Sequence, residues 1–164
     1  MRFFLIICFF AFAGIILSCR PSGTNAPASL SSQPGTAGRP AAGHGTDLIR
    51  IGRAVVEVEF ARTEEQREMG LMFRESLATN EGMVFVFDPP SKPAFYMKNT
   101  KVPLDILFID ENLKIVDIQQ MEAFDEKTLH RPPAAVEYAI EVNRGWAAGH
   151  GVRAGDRVNL GTNR

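Results

Sequence analysis

The first acidic residue of this chain is Asp47, and that boundary confines whatever can fold to the segment behind it. Two stretches precede it, and neither can build a core. Phe3 to Leu17 form an uncharged apolar run of fifteen residues behind Arg2. That is short of the ~20 residues a transmembrane helix needs and suits the apolar centre of a secretory signal. Residues 20–46 follow, in which 21 of 27 positions are Pro, Gly, Ser, Ala or Thr and Leu30 is the one bulky aliphatic side chain. Such a segment buries too little surface to offset its ordering entropy.

The apolar run ends in Ile16-Leu17-Ser18-Cys19, which resembles the bacterial lipobox. The resemblance implies cleavage before Cys19, loss of Cys8 with the signal, and lipidation of the Cys19 sulfur. No disulfide is then expected within the mature chain. An ordinary secretory signal and an uncleaved N-terminal anchor remain as alternatives. The expected organisation is a signal peptide over 1–18, a lipidated cysteine and disordered tether over 19–46, and a globular domain over 47–164. Coil scaling of roughly 5–6 Å × √n gives the tether a reach of about 30 Å. The protein is thus expected in the cell envelope, bound to a membrane through Cys19, with the domain facing the periplasm or the exterior.

All 19 acidic residues but only 15 of the 18 basic ones lie in 47–164, a formal charge of −4. Nucleic-acid modules carry the opposite sign, so none is expected as a partner. Val56, Val58 and Phe60 alternate with Glu57 and Glu59, the period of a half-buried strand. Thr63 and Gln66 form a capping box for a helix that Gly70 can end, with Glu64 and Glu65 in its positive first turn. Met69, Leu71, Met72 and Phe73 then read as a packed edge. Met83 to Phe87 suits a strand buried on both faces, stopped by Asp88-Pro89-Pro90. Ala94 to Met97, Leu104 to Ile109, Ile115 to Ile118, Val136 to Val142, and Val158 with Leu160 supply further strand candidates. The fold class expected is mainly β: a small single-domain barrel or sandwich of about seven strands with one short N-terminal helix.

Six pieces in order, Met69-Gly70-Leu71-Met72-Phe73-Arg74, Gly82 to Phe87, Phe95-Tyr96-Met97-Lys98-Asn99-Thr100, Pro103 to Ile109, Glu141-Val142-Asn143-Arg144-Gly145-Trp146, and Gly155-Asp156, carry a resemblance. Together they resemble the domain of unknown function 192 family, also called uncharacterised protein family 0127, across essentially all of 54–160. The resemblance implies a small β-rich barrel and no established reaction.

Asp105 stands out because it sits in an apolar strand, where an ionised carboxylate requires a partner or a raised pKa. One reading makes it a ligand-binding or acid/base carboxylate at a barrel mouth, with Lys98, Asn99 and Thr100 as neighbouring donors. The other makes it an outward-facing strand residue, or a buried tie that holds the Lys98–Lys101 turn through backbone N–H groups. Arg74 would clamp a carboxylate or phosphate, or else pair with Glu75 or another local acid. Glu141, between Ile140 and Val142, is placed like Asp105, and the two together would suit a glycosidase pair. Phe95 and Tyr96 beside Asn99 and Thr100 offer either a stacking platform or core.

Met69, Met72, Met83, Met97 and Met121 invite copper(I), but methionine more commonly fills gaps in cores. His130 and His150 alone make a poor zinc site. With no phosphate loop, nucleophile elbow or Cys-His pair in the sequence, no metal or cofactor is expected.

These readings combine into a lipid-anchored binding or accessory module of the envelope for a small-molecule, glycan or protein partner, its site formed by Asp105, Lys98, Asn99, Thr100, Tyr96, Arg74 and Glu141. The rival is an enzyme on envelope carbohydrate or a similar polar substrate, using Asp105 as acid/base. A third class is a structural or partner-docking lipoprotein.

Overall fold

The structure, a computed structural model, describes residues 46–162. The expected signal, the expected lipidation at Cys19 and the expected tether, apart from Thr46, lie outside the described residues. Seven strands and two short helices follow in the order β1 (Asp47–Ile51), β2 (Ala54–Ala61), α1 (Glu64–Met69), β3 (Glu81–Ser91), β4 (Leu104–Ile109), β5 (Ile115–Met121), β6 (Val136–Asn143), α2 (Trp146–Gly149) and β7 (Val158–Asn159). The strands form one curled, half-barrel sheet in the order β5-β4-β6-β3-β2-β1-β7. Only the β2–β3 pair is parallel; the other pairs are antiparallel.

The curl brings the two edges together at one end. Ile115 N–H donates to Asp156 O at 2.9 Å, Gly155 N–H to Ile115 O at 2.8 Å and Val158 N–H to Leu113 O at 2.8 Å. Bonding between the start of β5 and the approach to β7 occupies backbone groups that edge strands would otherwise expose. Inside the curl lies one core, with Ile51, Val56, Val58, Leu107, Ile109, Ile140, Val142 and Trp146. On the opposite face lies a second, with Met83, Phe85, Ile106, Phe108, Met97 and Leu71. The period of two therefore serves both cores: along β4, Leu104, Ile106 and Phe108 point one way and Leu107 and Ile109 the other. Each such fully buried side chain contributes about 1.5–3 kcal/mol of transfer free energy.

The capping box forms as the spacing predicts. Gln66 N–H donates to Thr63 Oγ1 at 3.3 Å, and Gln66 Oε1 accepts from Thr63 N–H at 3.0 Å. Gly70 ends α1 at φ 47°, and a Cβ there would lie 3.3 Å from Phe85 Cζ. Three expectations are corrected. The strand at Met83–Phe87 continues through the prolines to Ser91, along a register shift against β6 between Val86 and Ser91, where the missing Pro N–H groups cost no regular ladder bond. Ala94–Met97 is not a strand but carries a single bridge, Phe95 to His130. The stretch after α1 is not a packed edge, since Leu71 is buried but Met69 and Phe73 are exposed. β1 and α2 are additional elements that the sequence pattern did not mark.

Candidate functional site

On the outer face of the sheet, residues in register across three strands place two carboxyl groups in one row. Glu59 of β2 pairs with Met83 of β3, and Met83 pairs with Glu141 of β6. Strand spacing puts Glu59 and Glu141 about 10 Å apart at their backbones. Both are buried, at 7% and 6% exposure. Close packing of β3 on β6 depends on Gly82, whose hypothetical Cβ would lie 2.4 Å from Glu141 O.

The two carboxyl groups sit in unlike surroundings. Glu59 receives both terminal nitrogens of Arg74, at 2.8 and 2.9 Å, a bidentate ion pair. The Glu141 carboxyl makes no hydrogen bond to another described residue. Burial pushes it from its ordinary 4.5 up to about 8, against the opposing pull of Arg74. Among the described residues no side-chain polar atom is sealed from solvent without a partner, so the Glu141 carboxyl reaches the space it lines.

That space is a cleft of about 790 Å³ between α1 with the Gly70 turn on one side and the Pro93–Tyr96 segment on the other. Its walls mix apolar and aromatic side chains, among them Met69, Met72, Phe87, Phe95 and Tyr96, with polar ones, and the buried Glu141 and Thr100 lie deepest in it. Phe95 is fixed edge-on against Phe85 at 5.0 Å, Phe87 at 6.3 Å and Phe108 at 6.0 Å between ring centroids. This cluster holds the wall in place by packing. At the rim stand Glu64, Glu68 and Asp88, with Arg67 the one cation among the lining residues.

The sequence-derived site residues are divided by the fold. Tyr96, Thr100 and Glu141 meet in the cleft. Asp105 does not. It pairs in register with Val142, and Ile106 with Glu141, so Asp105 and Glu141 occupy opposite faces of the sheet and cannot act as a carboxylate pair. At 2% exposure, Asp105 accepts from Ala147 N–H at 3.1 Å and from Gln120 Nε2 at 3.4 Å. It thereby satisfies an orphan N–H at the start of α2, where Gly145 brings no side-chain cap. It is a tie, as one reading held, but it ties α2 and not the Lys98–Lys101 turn.

That turn is braced by backbone bonds. Phe73 N–H donates to Asn99 O at 2.8 Å and Phe124 N–H to Thr100 O at 3.0 Å, with Phe73, Asn99 and Phe124 all at positive φ. The Thr100 hydroxyl donates to Lys98 O at 3.1 Å. Lys98 and Asn99 do not line the cleft, and Arg74 pairs with Glu59 rather than with Glu75, which bonds Lys101 instead.

Of the methionines, Met83, Met97 and Met121 are packed in the outer core, whereas Met69 and Met72 line the cleft. Among the described residues no three His, Cys, Asp or Glu side chains converge on a metal position. Sequence reasoning missed Glu59. Its alternation with Val58 and Phe60 marked it as solvent-facing, and the one available signal was a lone Arg74 that needs a buried acid.

No curated protein matches this chain. A candidate transcription regulator from Sinorhizobium meliloti 1021 has a crystal structure similar to it at 32% identity, with a TM-score of 0.67 over 71% of this chain and 94% of that one. A protein of unknown function from Novosphingobium aromaticivorans DSM 12444 is similar at 32% identity, with a TM-score of 0.70 over 84% of this chain and 99% of that one. Residues 48–160 match DUF192, described as uncharacterized ACR, and with solved relatives at this identity the chain belongs to the DUF192 family.

Proposed function

We propose that this protein is a binding module of the cell envelope, held at a membrane by lipid on Cys19, and that the cleft over Glu141 is its ligand site. The observation that carries the reading is a buried carboxyl without a hydrogen-bond partner among the described residues, opening into a cleft of about 790 Å³. Small-molecule sites are concave and join apolar and aromatic walls to a few convergent polar groups; this cleft has aromatic walls and a buried carboxyl, with a larger polar share than most. The formal charge of −4 over 47–164 weighs against nucleic acid as the partner, despite the likeness to a candidate transcription regulator.

A thermal-shift screen of residues 47–164 against sugars, peptidoglycan fragments, carboxylates, amines and nucleotides tests the reading. A ligand at 100 times its Kd adds about 2.7 kcal/mol, a rise of roughly 10 °C in Tm for a domain of this size. Hits that weaken in Tyr96→Ala and Glu141→Gln support the cleft; hits indifferent to both refute it. Lipid attachment is read separately, by incorporation of labelled fatty acid that Cys19→Ser abolishes.

One observation favours a second reading. At neutral pH the Glu141 carboxyl holds its proton, as a general acid must, while Glu59 in the same row is bound bidentately by Arg74. An enzyme built on this row would use Glu141 where the sequence had suggested Asp105. Loss of turnover with retained affinity in Glu141→Gln would distinguish it from a pure binder.

A further inference from the structure

Which chemistry suits the cleft follows from what its charged groups are already doing. Arg67, the cation at the rim, donates to Glu64 Oε2 at 2.6 Å, to Arg62 O at 2.7 Å and to Val86 O at 2.9 Å. Its guanidinium is committed. Arg74, whose charge acts on Glu141, is bound bidentately to Glu59. Glu68 and Asp88 at the rim, and Glu141 on the floor, form no ion pair among the described residues.

An anionic ligand would bring its charge past the rim carboxyl groups of Glu68 and Asp88 with no uncommitted cation among the lining residues to receive it. A neutral polyol needs several hydrogen-bonding side chains. Here the Thr100 hydroxyl donates to Lys98 O, and the Ser91 and Tyr96 hydroxyls are the neutral ones left, the other polar groups being acids and Arg67. An organic cation meets all three features: a buried acceptor at the floor, acidic groups at the rim and aromatic faces between them.

We propose that the cleft takes an amine: a ligand with an apolar or aromatic body between α1 and the Pro93–Tyr96 segment, whose ammonium docks on the Glu141 carboxyl. The proposal rests on the cleft being the binding site and adds the chemical class of its ligand. Docking requires Glu141 to give up its proton as the ammonium arrives, so binding releases a proton near neutral pH. The charged groups that set this exchange are Arg74 behind the carboxyl, which favours ionisation, and Glu68, Asp88 and the Arg67–Glu64 pair around the rim.

Three isosteric probes test it: 2-phenylethylamine, 2-phenylethanol and phenylacetate, titrated into the isotope-labelled full-length chain and followed by amide NMR shifts. At pH 8 the amine is expected to bind about tenfold or more tighter than the alcohol, with phenylacetate weakest. Its advantage should fall at least tenfold at pH 6, where the proton on Glu141 competes. Glu141→Gln should remove the advantage, and Asp88→Asn should reduce it in part. The alcohol or phenylacetate binding as tightly as the amine would overturn the amine assignment and leave the cleft reading standing, as would an amine preference that persists in Glu141→Gln. Absence of shifts around the cleft with all three probes would overturn both.

Discussion

Replacing Glu141 by Gln should stabilise the domain, and by an amount that depends on pH in one direction only. Gln matches the shape of a protonated Glu and cannot ionise. In the folded protein the Glu141 carboxyl is raised from 4.5 to about 8. Between those values the unfolded chain has released this proton and the folded chain keeps it, so folded wild type loses stability as pH rises, by about 1.4 kcal/mol per pH unit. Summed over the window the loss is about 5 kcal/mol, complete above pH 8 and absent below about pH 4.5. That is a large part of the ~5–15 kcal/mol that holds a small domain folded.

The variant should therefore match wild type within about 1 kcal/mol near pH 5 and exceed it by several kcal/mol at pH 9. Trp146, the single tryptophan and only 4% exposed, reports unfolding by its fluorescence in urea at each pH. Taking the difference between the two proteins cancels the other titrating groups. A difference that does not change with pH, or wild type gaining on the variant as pH rises, would mean that the carboxyl is ionised in the folded protein and would refute the reasoning.

Three further outcomes are expected. Asp105→Ala leaves Ala147 N–H without its acceptor inside the curl and should cost about 2 kcal/mol in urea unfolding, while probe binding in the cleft on the other face is unchanged. Arg74→Met strips the bidentate pair from buried Glu59. It should cost about 3 kcal/mol and raise the Glu141 carboxyl further, read by NMR titration of its side-chain carbon. Gly82→Ala places a Cβ 2.4 Å from the Glu141 carbonyl oxygen, a backbone atom that cannot rotate away, and should cost about 3 kcal/mol with loss of the β3–β6 amide protection in hydrogen exchange.

Local chemistry made several elements legible. Thr63 and Gln66 identify the start of α1 because a capping box is a bond between neighbours, and Gly70 marks its end because few other residues tolerate the conformation there. The Leu104–Ile109 run and the Asp110-Glu111-Asn112 turn locate β4 and β5, where Asp110 Oδ1 accepts from Asn112 and Lys114 N–H at 2.9 Å each. β1 escaped notice because Leu48 and Arg50 are exposed and its five residues become a strand only by pairing with β2 and β7. α2 escaped because its four residues carry no side-chain cap of their own; the acceptor arrives from Asp105, 42 positions away.

By itself the sequence determined that a β-rich domain lies behind Asp47, where most of its strands run, where the first helix starts, and which family the chain resembles. Those depend on periods and neighbours, which a linear text contains. It could not determine which carboxyl meets the ligand space. Asp105 and Glu141 look alike in sequence, each an acid flanked by apolar strand residues. The register of β4 against β6 alone sends one inward to tie α2 and the other outward beneath the cleft. A register fixes which residues share a face through pairings 29 to 39 positions apart in sequence, and a shift of one residue between β4 and β6 would have put both carboxyl groups on the same face.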